Sequence, residues 1–180
     1  MATMSKMAEK PKLGISTCLL GHLTRYDGGH KLDAALKRAL EGRVQFVPLC
    51  PEVECGFGVP REPLRLAGNP HDPRLITVRG AVDHTGRMLR WARKRAAELE
   101  SENLCGFVLK AGSPSCGIRL VPVYGEQGAG AGECAAVGEG TGIWARVLIK
   151  HFPLLPVEDD ERLQDPAARE DFIRRVLLGV

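Results

Sequence analysis

Three cysteines occupy similar places in the sequence, each shortly after a short apolar run. Cys18 follows "KLGIST", Cys50 follows "VQFVPL", and Cys116 follows "CGFVLK" inside the turn "KAGSPSCGIR". Soft thiolates select zinc, copper(I) or iron–sulfur clusters, so three converging thiols would form a metal site. A structural zinc site takes four protein ligands and a cubane cluster ordinarily takes four cysteines, so three thiols would leave one metal position open for a substrate atom.

The number and spacing of the cysteines do not decide whether their thiols bind a metal or are simply buried. The six cysteines are Cys18, Cys50, Cys55, Cys105, Cys116 and Cys134, and no two form a C-x-x-C pair. Local spacing therefore indicates neither a zinc knuckle nor a thioredoxin-type redox pair, and a metal site must be assembled by the fold. Free cysteine also packs as a small hydrophobic residue, which is the reading expected for Cys55, Cys105 and Cys134.

Polar residues beside these cysteines favour a reactive site. Glu52 follows Cys50 by two positions and could act as a base, although it could instead pair with an arginine such as Arg61. The residues flanking Cys116 are Lys110, Ser113 and Ser115. The alternative for Ser113 is a plain turn residue, because Gly-Ser-Pro-Ser is typical of turns.

The elements around the cysteines predict a single α/β domain. Strands are predicted at 12–17, 44–49 and 105–110, with helices in 31–42, ending near Gly42, and from Met88 to about Glu100. Alternating strands and helices indicate a largely parallel sheet flanked by helices, a Rossmann-like three-layer arrangement. Functional crevices in such sheets lie beyond the carboxyl ends of the strands, so the three thiols are expected to meet there.

The remaining segments carry weaker signals. Residues 65–86 are rich in Pro and Gly and predict loops with at most a short hairpin, and the glycine-rich tract 124–142 predicts a mobile loop. A helix at 143–152 and a short strand at 154–159 follow. The closing helix is expected over 165–178, with Asp165 as its N-cap and Pro166 in the first helical position.

Composition excludes several classes of protein. Of the 180 residues, 26% are charged and 44% hydrophobic, and no apolar run is long enough to span a membrane. The net charge of +3, without a dominant basic block, disfavours nucleic acid as a partner without excluding it. Residues 1–11 are interpreted as a flexible leader lacking the apolar stretch of a secretory signal, which leaves 12–180 as the domain and the cytoplasm as the expected location.

Four blocks of the sequence resemble the thiouracil desulfidase family, formerly a domain of unknown function. The blocks are "CLLGHLTRYDGGHK", "CPEVECGFGVPREP", "VDHTGRM" and "KAGSPSCG", and the likeness runs from about Lys12 to the C-terminus. The resemblance implies a 4Fe-4S cluster held by three cysteines, whose open iron takes sulfur from a small thiolated pyrimidine such as 2-thiouracil. Water replaces the sulfur as oxygen, without net redox change.

Residue by residue, the resemblance implies a complete site. Cys18, Cys50 and Cys116 match the cluster ligands, Glu52 the acid/base carboxylate, and Ser113 a serine at the substrate. The residues expected to bind the substrate are Arg25, Tyr26, Asp27, Lys110 and Ser115. Asp27 precedes Gly28 and Gly29, so it could instead serve only as a turn residue.

Two other classes of function stay open at this point. An iron–sulfur protein that senses redox state or recognises thiolated RNA would carry the cluster without turnover. A structural zinc domain would be colourless, and its missing fourth ligand argues against it. The chain is most similar to longer relatives in which a second domain follows, so a partner in trans or a different thiolated substrate is a further expectation. The oligomeric state and the exact substrate are not specified by the sequence.

Overall fold

The computed structural model describes residues 10–125 and 135–178, which form an α/β domain with two sheets. The described strands are β1 Lys12–Ser16, β2 Gln45–Leu49, β3 Leu64–Asn69, β4 Asp72–Thr77, β5 Leu104–Leu109, β6 Val121–Tyr124, β7 Ala136–Gly140 and β8 Val157–Asp159. The α-helices are α1 Ala34–Leu40, α2 Pro51–Glu54, α3 Thr85–Leu99, α4 Ile143–His151 and α5 Pro166–Leu178. No helix within these described ranges is both long and apolar enough to cross a membrane.

The first sheet is parallel and has the strand order β2-β1-β5-β8. Its central strand, β1, pairs Gly14 with Val47 of β2 and with Phe107 of β5. Gly14 is required there, because a Cβ would lie 2.2 Å from the Phe107 ring. The three strands predicted to precede the thiols are β1, β2 and β5, and each boundary agrees within one residue.

Helices cover both faces of this sheet, as the three-layer prediction requires. On one face, Leu36 and Leu40 of α1 and Phe172 of α5 pack in one core cluster with β1. On the other face, Ala92 of α3 and Trp144 of α4 pack in a second cluster that contains residues of β2 and β5. The buried strand residues are apolar on both faces, which is typical of parallel sheets. The predicted α/β class is confirmed.

The second sheet, with order β4-β3-β6-β7, corrects two predictions. Residues 65–86 contain a regular hairpin, β3 and β4, rather than mostly loops. Pro70 lies in the turn after Asn69, but Gly68 and Pro73 lie within the strands and pair with each other. Leu66 and Leu75 are fully buried and pair across the same ladder. Parallel pairing of β3 with β6 and antiparallel pairing of β6 with β7 complete this mixed sheet.

The strand β7 lies in the tract predicted to be a mobile loop, so that prediction is wrong for 136–140. Glycines are tolerated here because another segment approaches closely: a Cβ on Gly138 would lie 2.8 Å from Pro70, and one on Gly140 3.0 Å from the Pro70 carbonyl. The rest of the tract, 126–134 with Cys134, lies outside the described residues, as does nearly all of the predicted leader 1–11.

The helix signals are confirmed. The Asp165 side chain accepts a hydrogen bond from Ala168 N at 3.0 Å, as an N-cap should, and α5 begins at Pro166. Gly42 follows α1 with a left-handed φ of 82°.

Candidate functional site

A cavity of about 170 Å³ lies at the carboxyl ends of β1, β2 and β5. Eight of the ten predicted site residues line it: Cys18, Arg25, Tyr26, Cys50, Glu52, Lys110, Ser113 and Cys116. Asp27 and Ser115 are not part of the lining. Since one water occupies about 30 Å³ of liquid, the cavity has room for a polyatomic group. The three thiols therefore line one shared cavity at the strand ends, as strand-end geometry predicted.

Cys18 lies in the 3-10 turn Thr17–Leu20, which begins where β1 ends. Its carbonyl oxygen accepts hydrogen bonds from the N–H groups of Gly21 at 3.2 Å and Lys31 at 2.9 Å. Gly21 has a left-handed φ of 95°, which suits glycine and closes the turn. These contacts fix the backbone that carries the first thiol.

Cys50 is the N-cap residue of the short helix α2 and directly follows β2. Pro51 occupies the first helical turn, and the Cys50 carbonyl accepts a hydrogen bond from Glu54 N at 2.9 Å. The Cys50 Sγ lies 3.9 Å from the carbonyl oxygen of Thr24, so this thiol also contacts the loop that follows Cys18.

Cys116 lies in a turn organised by the side chain of Ser113. The Ser113 Oγ accepts hydrogen bonds from Ser115 N at 3.2 Å and Cys116 N at 3.1 Å, and the Ser113 carbonyl accepts one from Gly117 N at 2.8 Å. Helix α4 docks on the same turn, because Trp144 N donates to the Ser115 carbonyl at 2.9 Å. The third thiol is thereby held by two elements.

The environment of the three thiols disfavours free thiolates. Burial, and next the charge of Cys50, raise the pKa of Cys18 to about 11, although Lys110 acts in the opposite direction. Burial is also the largest cause of the raised pKa of Cys50. For Cys116, burial and then the charge of Cys50 raise the pKa well above its ordinary range. Deprotonated thiols here need a cationic group between them, which a metal cofactor provides.

The Glu52 carboxylate has partners on both oxygens. Arg61 donates to Oε2 from Nε at 2.8 Å and approaches it with Nη2 at 2.6 Å, and Ser115 Oγ donates to Oε1 at 2.9 Å. The side chain of Glu52 is only 13% exposed. The ion pair with Arg61, which the sequence left as an alternative to catalysis, therefore exists within the cavity wall and is compatible with either role.

Lys110 is oriented by an acidic partner that the sequence did not indicate. Its Nζ lies 2.8 Å from Asp160 Oδ2 and 3.1 Å from Oδ1, and the same Oδ1 accepts a hydrogen bond from Ala111 N at 2.7 Å. The N–H of Lys110 also donates to Ser16 Oγ at 3.0 Å, which anchors the residue after β5 to the end of β1.

The loop after Cys18 places Arg25 and Tyr26 at the cavity and Asp27 behind them. Arg25 Nη2 lies 3.2 Å from Asp27 Oδ2, and its guanidinium carbon lies 5.3 Å from the centre of the Tyr26 ring. Asp27 Oδ1 accepts a hydrogen bond from Gly29 N at 2.9 Å, so the predicted turn role is observed. The hydrogen bond from Arg25 is the main cause of the lowered pKa of Asp27.

The donor set fits a cluster cofactor. Within residues 10–125 and 135–178, no three His, Cys, Asp or Glu side chains are close enough to hold a single metal ion. An iron–sulfur cluster instead binds each thiolate to a different iron, so its ligands stand apart around a shared space. Cys18, Cys50 and Cys116 lining one cavity are suited to that arrangement.

Sequence reasoning missed several residues of the cavity. Arg61 was considered only as a partner for Glu52, although it lies in one of the recognised sequence blocks, "GVPREP", and it lines the cavity. Thr24 also lines it, and its Oγ1 is buried without a hydrogen-bond partner among the described residues. Asp160 lies outside the lining and acts on it through Lys110, and no motif identifies it, because a lone aspartate after a short strand has no distinctive pattern.

Fold and site together define an α/β protein with a three-thiol cavity at its strand ends. A sequence model of the 2-thiouracil desulfurase family matches residues 13–160, which include all three thiols and Glu52. The chain belongs to the 2-thiouracil desulfurase family. The resemblance seen in four sequence blocks is thus confirmed.

Two relatives support this assignment. The solved structure of the 4Fe-4S-dependent thiouracil desulfidase TudS is 30% identical and superposes with a TM-score of 0.66, covering 90% of this chain and 99% of its own. An uncharacterised protein of Bacillus subtilis, YbbK, is 30% identical over 132 residues, which is 68% of this chain and 86% of YbbK. The structural similarity to TudS therefore extends over most of this chain.

Proposed function

We propose that this chain is a 4Fe-4S-dependent desulfidase that converts a small thiolated base, such as 2-thiouracil, to the corresponding oxo base. The observation that carries the proposal is the convergence of three thiols and Glu52 in one cavity of a chain that belongs to the 2-thiouracil desulfurase family. The reaction exchanges a C=S bond for a C=O bond, consumes one water and releases hydrogen sulfide. No electrons are gained or lost.

Cys18, Cys50 and Cys116 are the proposed ligands of the cluster. Their pKa values, raised chiefly by burial, would be offset by the charge of the irons on binding. Held by three protein ligands, the cluster would keep one iron open, which would supply a Lewis acid for the soft sulfur of the substrate. A hard oxygen would gain far less from that iron, which favours a thiolated substrate and release of its oxo product.

Glu52 is the proposed base. Because Arg61 and Ser115 fix its two oxygens, the carboxylate is oriented before the substrate arrives. It would accept a proton from the attacking water and return it to the departing sulfur. General acid–base groups of this kind typically contribute about 10²- to 10⁴-fold in rate.

Ser113 is suited to contact the substrate. Its Oγ already accepts two backbone N–H bonds, so its own O–H is left to donate toward a polar group in the cavity. Arg25, Tyr26 and Lys110 are proposed to bind the base directly. Asp27 and Ser115, which lie outside the lining, would act through Arg25 and Glu52.

The alternative of a cluster protein without turnover is less favoured, because the family and the TudS likeness both point to desulfuration. We place the enzyme in the reducing cytoplasm as part of the proposal. The described cysteines Cys18, Cys50, Cys55, Cys105 and Cys116 are free thiols, which a reducing compartment maintains.

The test is anaerobic purification with iron and acid-labile sulfide analysis, followed by incubation with 2-thiouracil in ¹⁸O-labelled water. We expect about four irons per chain, equal amounts of uracil and sulfide, and one labelled oxygen per uracil. A cluster-loaded protein that forms no uracil would favour the sensing alternative. An iron-free protein after anaerobic reconstitution would contradict both.

A further inference from the structure

Arg61 uses all three nitrogens of its guanidinium group in contacts that connect the two segments that carry Cys18 and Cys50. Besides the two contacts to Glu52 Oε2, Nη2 donates to the carbonyl oxygen of Thr24 at 3.0 Å and Nη1 to that of Gly58 at 3.1 Å. The Arg61 side chain is 9% exposed. Burying a guanidinium is costly unless its charge is paired and hydrogen-bonded, and Glu52 and the two carbonyl oxygens meet that requirement here.

These contacts make the two oxygens of Glu52 unequal. Oε2 accepts its hydrogen bond from Arg61. Because arginine does not deprotonate in proteins, the guanidinium cannot exchange a proton with Oε2. Oε1 accepts one hydrogen bond, from Ser115 Oγ, and an ionised carboxylate oxygen has capacity for about one more. Oε1 is therefore the atom that can receive a proton from water in the cavity.

We propose that Arg61 is a positioning residue that fixes Glu52 with Oε1 as the base. The inference rests on the proposed function, since it assigns the atom that acts in that reaction. Arg61 contacts neither substrate nor cluster in this assignment and acts through Glu52 alone. A lysine at the same position keeps the charge but not the planar fork, so it cannot reproduce the contacts from Nε and Nη2 together.

The test compares Arg61→Lys with the wild-type holoenzyme by kcat and KM for 2-thiouracil, iron content and visible spectrum. We expect kcat to fall about 10- to 100-fold, as for loss of charge-assisted hydrogen bonds, with KM within about twofold and the cluster retained. The matched control is Arg95→Lys. Arg95 Nε lies 3.2 Å from Oε2 of Glu54, which is in helix α2 like Glu52, but Arg95 is outside the cavity lining. The kcat of Arg95→Lys should therefore equal that of the wild type.

Two further measurements separate positioning from a general structural role. In a Glu52→Gln background, Arg61→Lys should lower kcat by less than about twofold, because the residue through which it acts is already lost. Crystal structures of the apo forms should show the distance from Glu52 Oε1 to Ser115 Oγ lengthening from 2.9 Å to beyond hydrogen-bond range in Arg61→Lys.

Each contrary outcome has a distinct meaning. If the wild-type holoenzyme releases no sulfide, the proposed function fails and the inference fails with it. If it does and Arg61→Lys keeps its kcat, only the positioning role is overturned. Loss of the cluster in Arg61→Lys, or an equal loss of kcat in the Glu52→Gln background, would also overturn it, because Arg61 would then act on the thiols or the substrate instead.

Discussion

The five thiols that the structure describes fall into two regions, the cavity at the carboxyl ends of the parallel strands and the body of the domain. Cys18, Cys50 and Cys116 line the cavity. In the body, Cys105 lies in β5 near its amino end and donates from Sγ to the carbonyl oxygen of Lys12 at 2.9 Å. Cys55 is 8% exposed and packs in a core cluster.

Position relative to the strand ends, rather than residue type, separates the three proposed ligand thiols from the thiols that pack in the body of the domain. Cys55 is only five positions from Cys50, yet it follows α2 and contacts apolar side chains of the second sheet. Each body thiol already has a local partner or packing neighbours. The cavity thiols also have neighbours, since Cys50 contacts the Thr24 carbonyl and Cys116 belongs to a core cluster, but they differ in lining one shared cavity.

The largest expected effect is that of Cys116→Ser. A hydroxyl is a poor ligand for a soft iron, and Cys116 is held in place by the Ser113 turn and α4, so no neighbour can replace it. We expect loss of the visible iron–sulfur absorption and of all uracil formation. An unchanged spectrum in this variant would refute the ligand assignment.

Next in size is the effect of Glu52→Gln. The amide keeps the size of the side chain but removes the base, so kcat should fall by about 10²- to 10⁴-fold while iron content is retained. Arg61 would be left as a buried charge without its partner, so thermal unfolding should be measured alongside. Full activity in a folded, iron-loaded variant would exclude Glu52 as the base.

A moderate effect is expected from Gly142→Ala. An added Cβ would lie 2.6 Å from the Ser115 carbonyl and 2.9 Å from Cys116 N, both backbone atoms that cannot move independently. Overpacking of this kind costs about 1–3 kcal/mol, so urea unfolding of the apoprotein should shift accordingly and iron retention against a chelator should weaken.

The matched control for this change is Gly86→Ala in α3. There the nearest atom to an added Cβ is the flexible Arg90 Nη1 at 3.4 Å, so stability should be equal or slightly higher. Equal behaviour of the two glycine variants would show that α4 does not set the position of the Cys116 turn.

The apoprotein should lose stability at alkaline pH. The pKa of Cys18 is raised by burial from 9.0 to about 11, so the folded state binds more protons than the unfolded state between these values. The contribution is fully present below pH 9 and is lost as pH rises through 11, amounting to about 2–3 kcal/mol. Urea unfolding of the wild-type apoprotein and of Cys18→Ala at increasing pH measures this contribution. An equal loss of unfolding free energy with pH in the two proteins would contradict the prediction.

The smallest effect should come from Cys105→Ala, the counterpart in the body of the domain. It removes the hydrogen bond to Lys12, worth about 0.5–1.5 kcal/mol, and leaves the cavity intact. Iron content and kcat should equal those of the wild type. Loss of iron in this variant would remove the distinction between the two regions.

Periodicity and turn signals were enough to predict the strands of the first sheet but not their order, and the meeting of the thiols followed from their places at the strand ends. The runs before Cys18, Cys50 and Cys116 are short, apolar and followed by turn residues, so strand ends were visible in the sequence. The roles of Glu52 and Ser113 required the family resemblance, because a single carboxylate or serine has no diagnostic spacing.

The second sheet and the shell of the site were not visible in the sequence. Gly138 and Gly140 of β7 predicted a loop, because glycine weakens a strand. The reason for glycine in this strand is the close approach of Pro70, a tertiary contact that the local sequence does not report. The pair of Lys110 with Asp160 joins residues fifty positions apart, and sequence patterns report mainly local neighbours.

The site can form only after β1 has paired in parallel with both β2 and β5. Cys18, Cys50 and Cys116 are far apart along the chain and come together only after two crossover connections have closed. Such non-local pairings form late and slowly in folding. The unfolded chain does not hold the three thiols around one space, so binding of the proposed cluster would be coupled to formation of this sheet.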